Sequence, residues 1–154
     1  MPFPWPELLA TVGAVVWVTP LKAQQAREVG VQAIATASAP AAGVLGGYGA
    51  ERLTNRTRVS GFVGAGLSGK RVAWRGEILA HFLFNPEKQR GTGFYLAGGV
   101  AAAGGSTTMG YLVLALGLEA RPAAAAGWVL EAGVGGGARF GFGYRWRHHA
   151  PGAL

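Results

Sequence analysis

Apolar and polar residues alternate with a period of two over most of this chain, most plainly from Ala138 to Trp146. There Phe140, Phe142, Tyr144 and Trp146 alternate with Arg139, Gly141, Gly143 and Arg145. An extended strand sends successive side chains to opposite faces, so this stretch predicts one aromatic face and one face of glycine and guanidinium. The same pattern recurs upstream and divides the chain from Glu28 onward into eight segments, each of roughly ten residues.

The predicted strands are 29–37, 43–52, 58–67, 71–84, 93–102, 110–121, 127–135 and the closing 138–146. In the first, Val29, Val31, Ala33, Ala35 and Ala37 oppose Gly30, Gln32, Ile34 and Thr36. The second is glycine-rich; its pattern sets Val44, Tyr48 and Ala50 on the apolar face against Gly47, Gly49 and Glu51, with Leu45 on the wrong side. The fourth alternates Val72, Trp74, Ile78, Ala80, Phe82 and Phe84 with Arg71, Ala73, Arg75, Glu77, Leu79 and His81. The sixth places Leu112, Leu114, Leu116 and Leu118 opposite Tyr111, Val113, Ala115, Gly117 and Glu119, and the seventh Trp128, Leu130, Ala132 and Val134 opposite Val129, Glu131 and Gly133. Charges at every second position between aromatics are costly to bury in a soluble sandwich. A soluble lipocalin-like barrel would turn its apolar residues inward and leave Arg75 and Glu131 in water. A barrel in lipid turns the apolar face outward and closes the charges inside.

Composition favours the second arrangement. Half of the 154 residues are apolar, only 14% are charged, and 27 are glycine, a density that helical domains avoid. There is no cysteine, hence no disulfide framework or thiolate site. The formal charge of +7 is spread among glycines and strand positions rather than gathered in a patch, so nucleic acid is not an expected partner. Near the amino terminus an apolar run from Leu8 to Val18, a break at Pro20 and the stretch Leu21-Lys22-Ala23-Gln24 predict a signal peptide over 1–23. Glu7 stands where such signals carry positive charge, and an anchoring amphipathic helix is the alternative. The division is then 1–23 signal peptide, 28–147 barrel and 148–154 tail.

The charges sort onto one parity. Glu51, Arg58, Arg75, Glu77, Glu119, Glu131, Arg139 and Arg145 are expected to meet inside as a lumenal network of ion pairs, with Glu28 at the first strand's edge. Glycines at 47, 49, 64, 66, 99, 117, 133, 141 and 143 are expected to leave these side chains room, because an eight-stranded barrel is only just wide enough to be filled.

On these residues the chain resembles the small eight-stranded outer-membrane barrels of the OmpA/OmpX type over 28–147. The resemblance is one of strand count and pattern, and its most specific piece is the last strand, where Arg139, Gly141, Tyr144 and Trp146 match the family's carboxy-terminal assembly signal. It implies an all-β, antiparallel, up-and-down transmembrane barrel of the cell outer membrane, exported by a signal peptide. It further implies a monomer whose partners are outer-membrane lipid, the barrel-assembly machinery and another membrane protein on the outward face. With the amino terminus in the periplasm, the outer turns fall at Pro40, Ser68-Gly69, 104–107 and 135–137 and are short, which weighs against a loop-based adhesin. Phe82, Phe84, Phe94, Trp128, Tyr144 and Trp146 gather on the outward face at the periplasmic rim, the place of an interfacial aromatic girdle.

Chemistry is sparse. A hydrolase needs a nucleophile, a base and an orienting group within hydrogen-bond reach. His81 shares its face with Glu77 at roughly 13 Å along the strand, and Ser60 is expected near the opposite end of the barrel. His148 and His149 make no metal site alone. The glycine strings at 61–66 and 133–137 lack the Lys-Ser/Thr and helix of a phosphate loop. The expected role is structural or interactive, with a charge-plugged lumen, no cofactor and no catalysis; a lipid A deacylase-like enzyme or a narrow solute channel is the alternative.

Overall fold

The computed structural model describes residues 26–149, so the expected signal peptide and the last five residues lie outside the described part. Eight strands follow one another: β1 Ala26–Ala37, β2 Ala42–Arg52, β3 Thr57–Ser68, β4 Arg71–Leu83, β5 Thr92–Gly104, β6 Met109–Ala120, β7 Ala126–Val134 and β8 Ala138–His149. Each pairs antiparallel with the next, and β8 pairs back onto β1, so the sheet is a closed up-and-down barrel with no free edge. The predicted segments match these strands to within a few residues. β8 runs further than expected, taking in His148 and His149, which the sequence places in the tail.

Turn chemistry fixes the hairpins. Gly69, with φ of 60°, and Lys70 alone join β3 to β4. A turn this short sets the register, pairing Ser68 with Arg71, Ser60 with Leu79 and Arg58 with His81. Gly136 and Gly137, at φ of 81° and 133°, let β7 return into β8 through a conformation that L side chains rarely adopt.

The sidedness is inverted relative to a water-soluble barrel. Leu112 is 81% exposed and Val72 74%, whereas Arg58 and Arg139 are fully buried. Val29, Val63, Ile78, Val100, Leu114, Leu130 and Phe142 all project outward from different strands, so the apolar surface runs around the whole cylinder. Inside, the β4–β7 wall carries Leu79, Ala97, Ala101, Val113, Ala115 and Val129. Three small alanines there leave width for the long side chains that cross from other strands.

β2 departs from the expected parity. Val44, Tyr48 and Arg52 turn inward, and Leu45, Gly47, Gly49 and Glu51 turn outward, so Leu45 shares the outer face after all and Glu51 is excluded from the lumen. The reason lies in Tyr48: its ring sits 3.9 Å from the guanidinium carbon of Arg145, and an aromatic face beside a cation is better placed inside than in contact with hydrocarbon. A Cβ at Gly47 or Gly49 would meet nothing within 4 Å, so these two glycines make no room in the interior. Gly64, Gly117 and Gly141 behave as expected: a Cβ at Gly117 would collide with the Tyr95 ring, and one at Gly141 would stand 2.9 Å from Gln32 Nε2.

Candidate functional site: the charged lumen

The lumenal groups form three tiers. The first lies at the end where β1 begins and β8 finishes, called the termini end below. Glu28 of β1 accepts from Arg58 Nη1 at 2.8 Å and Arg52 Nε at 3.3 Å, and faces Arg147 Nε at 3.5 Å. Glu119 of β6 faces Arg58 at 3.3 Å and is also paired with Arg147. This tier is roofed by the β6–β7 turn. Arg52 Nη2 donates to the Pro122 carbonyl at 3.0 Å and Arg147 Nη1 to the Ala124 carbonyl at 2.8 Å, while Pro122 is buried with its ring over Gly93. The roof is tied to the neighbouring turn by Ala123 N donating to the Lys88 carbonyl at 3.0 Å.

The middle tier is aromatic. The Tyr95 ring lies 5.1 Å from the Arg58 guanidinium carbon and 5.8 Å from that of Arg145, and His81 packs on Tyr95 with ring centroids 5.2 Å apart. The third tier crosses the barrel. Arg139 of β8 reaches the opposite strand, donating to Glu77 from Nε at 3.0 Å and Nη2 at 2.7 Å, and its Nη2 is 2.8 Å from Glu131 Oε2. Glu77 also accepts from Arg75 Nε at 2.6 Å. Glu131 accepts further from Tyr95 Oη at 2.6 Å, Gln32 Nε2 at 2.8 Å and Arg145 Nη2 at 3.3 Å.

Seven of the eight expected network residues therefore meet inside: Arg58, Arg75, Glu77, Glu119, Glu131, Arg139 and Arg145. Glu51 does not. It stands half-buried on the outer face, its Cα opposite that of Arg27. Sequence reasoning missed Arg52, Arg147, Gln32, Tyr48 and Tyr95 as partners. Arg147 carried a usable signal, since it continues the parity of Arg139 and Arg145. Among the described residues, six guanidiniums face four carboxylates. The cationic excess meets carbonyl dipoles at Pro122, Ala124 and Gly135 and the aromatic face of Tyr48.

Ser60 and His81 are together, contrary to the expected separation: Ser60 Oγ is 2.7 Å from His81 Nε2. The β3–β4 register puts Ser60 within two residues of the position opposite His81. The pair is not arranged as a nucleophile and its base. Arg58 Nη2 lies 3.4 Å from His81 Nδ1, and arginine only donates, so Nδ1 accepts and the ring proton sits on Nε2, directed at Ser60. A histidine donating to the serine does not take its proton, and a guanidinium occupies the place where a triad has its orienting carboxylate.

On the outer face, Phe82, Phe84, Phe94, Trp128 and Trp146 are exposed at the termini end, with Tyr144 half-buried among them. Trp128 and Tyr144 pack edge to face at 4.8 Å, as do Tyr144 and Trp146 at 5.1 Å. In the four residues of the expected assembly signal, Arg139 and Gly141 face the lumen and Tyr144 and Trp146 face outward.

A closed eight-stranded antiparallel barrel with an apolar exterior and an ion-paired interior defines the fold class. Solved barrels share that fold: the N-terminal β-barrel domain of Pseudomonas aeruginosa OprF, at TM-score 0.59 and 16% identity, covers 81% of this chain and all of that one (100%). Ail, the attachment invasion locus protein of Yersinia pestis, aligns at TM-score 0.52 and 11% identity over 83% of this chain and 100% of that one. No protein-family profile and no curated protein sequence matches the chain.

Proposed function

We propose that this protein is a small outer-membrane barrel with a structural or interaction role, monomeric, non-conducting and without catalytic activity. The observation that carries this reading is the sidedness: an unbroken apolar belt outside and tiers of buried ion pairs inside. Hydrocarbon stabilises the first, and closure of the sheet satisfies the backbone groups that lipid leaves unpaired. The roof of the β6–β7 turn and the Arg139–Glu77 crossing support a plugged lumen, since either alone obstructs a path through eight strands. The exposed aromatics at the termini end fit a girdle at the headgroup level, and Arg139, Gly141, Tyr144 and Trp146 would be read by the barrel-assembly machinery after export through the signal peptide over 1–23. The unpartnered belt would also admit contact with another membrane protein.

The deciding experiment is cell fractionation followed by electrophoresis of unboiled and boiled samples. The protein is expected in the outer-membrane fraction with a mobility that shifts on boiling. Recovery in the aqueous fraction, or one mobility under both conditions, overturns the membrane reading. Purified barrel in a planar bilayer is expected to give no discrete conductance steps.

A further inference from the structure

The two ends of the lumen are unlike. The termini end is roofed by a turn, whereas the far end opens into a cup of about 480 Å³, within the size range of small-molecule sites, roughly 300–1,000 Å³. Its walls are mainly apolar, with Ile34, Val44, Ala73 and Tyr111 on the lining and the hydroxyls of Ser38, Ser68, Ser106 and Thr107 among them. The Tyr111 ring lies where a Cβ on Gly136 would be, so it seals the stretch where β6 runs past the end of its ladder with β7. Below the cup, the Arg75–Glu77–Arg139 crossing closes it off from the rest of the lumen.

The floor is polar, and its hydrogen bonding is incomplete. Arg75 uses Nε on Glu77 at 2.6 Å and Nη2 on the Gly135 carbonyl at 2.9 Å, but Nη1 makes only a 3.5 Å contact with Thr36 Oγ1. Thr36 accepts in that contact, which leaves its own hydroxyl proton undirected. These two donors lie at the base of the cup with no good acceptor among the described residues. At the mouth stand Arg71 and, beside it, Lys70, both exposed; among the described residues no carboxylate lines the cup. Floor and mouth are both suited to negative charge.

The geometry points to a binding site for a compact amphipathic carboxylate, seated head-down with its carboxylate on Arg75 Nη1 and Thr36 Oγ1 and its apolar body against Ile34, Val44, Ala73 and Tyr111. The Arg75–Glu77 pair stays in place when the site fills, because it uses a different guanidinium nitrogen. This site goes beyond the structural role proposed above, and it stands or falls independently of membrane location.

The test is fluorine NMR on the folded barrel in detergent, with 4-(trifluoromethyl)benzoate as probe and 4-(trifluoromethyl)benzylamine as its cationic counterpart. Foldedness of every sample is checked by the boiling-dependent gel shift. The benzoate resonance is expected to broaden saturably beyond its broadening in protein-free micelles, and the amine is not. Thr36→Val, which removes one hydroxyl donor at constant volume, is expected to weaken binding about tenfold, the scale of one hydrogen bond to a charged group. Ala73→Phe, which fills the cup, is expected to abolish it. Should Ala73→Phe fail to fold, Thr36→Val decides. Equal broadening of the two probes, benzoate broadening no greater than in micelles alone, or unchanged binding in folded Thr36→Val each overturns the site.

Discussion

Replacement of Glu77 by Gln is the most direct probe of the lumenal network, because Glu77 sits where two cations converge from strands on opposite sides of the barrel. Its carboxylate accepts from Arg75 at 2.6 Å and from Arg139 at 3.0 and 2.7 Å, with no solvent to replace it. Gln keeps the shape but removes the charge, and its amide brings donors toward two guanidiniums that also only donate. Arg75 would retain the Gly135 carbonyl and a long contact to Thr36, and Arg139 would retain Glu131. Breaking a buried pair on one side costs about 3–5 kcal/mol. With a urea dependence of about 2 kcal/mol per molar, the unfolding midpoint falls by about 2 M. The measurement is urea titration in detergent followed by tryptophan fluorescence, with Glu51→Gln as control. Glu51 lies outside the network, so its loss is expected to change stability by less than about 0.5 kcal/mol. Arg75→Leu is expected to cost less than Glu77→Gln, about 1.5–3 kcal/mol, because Arg139 keeps both of its bonds to the carboxylate. Coincident midpoints for the Glu77 and Glu51 variants would refute the claim that the interior is held by these pairs.

Two further outcomes separate neighbouring readings. Tyr95→Phe removes the 2.6 Å bond to Glu131 and is expected to cost about 1.5–3 kcal/mol, whereas Tyr48→Phe, whose hydroxyl has no partner among the described residues, is expected to be near neutral in the same titration. Leu114→Arg, midway along β6 on the outer face, is expected to destabilise the barrel by about 2–4 kcal/mol in lipid vesicles; no cost there would mean that this face meets water.

How much of this was legible in the sequence depended on which side chains carried the signal. In β8 a charge or an aromatic stands at most positions and in β4 at about half, and parity alone separates Arg75 and Glu77, or Arg139 and Arg145, from the outer face. β2 offered little to read. Of its eleven residues four are glycine, and Tyr48 resembles a lipid-facing aromatic until its cation partner is known. Leu45 was the one informative apolar residue, and it pointed the right way against the rest. Register was more accessible than it looked. A two-residue turn at Gly69-Lys70 makes the positions of paired β3 and β4 residues sum to a constant, which brings Ser60 close to His81 without further knowledge.

The unequal ends of the lumen had no such signature, and the reason is physical. The roof over Glu28 and Glu119 is held by main-chain carbonyls at Pro122 and Ala124, acceptors that every residue possesses, so nothing in residue type marks that turn as folding inward. What residue type does record is the other half of the pairing: three inward arginines, at 52, 58 and 147, against two carboxylates, Glu28 and Glu119. An unmatched cation on the inward parity at the end of a strand implies an acceptor beyond the strand, and here that acceptor is the turn. At the far end the surplus is also one, Arg75, Arg139 and Arg145 against Glu77 and Glu131, but fewer main-chain carbonyls meet it. Arg75 reaches one carbonyl, at Gly135, and Nη1 is left with a long contact to Thr36 alone. The same imbalance of donors over acceptors thus closes the barrel where a turn supplies enough carbonyls, and leaves a receptive floor where it does not.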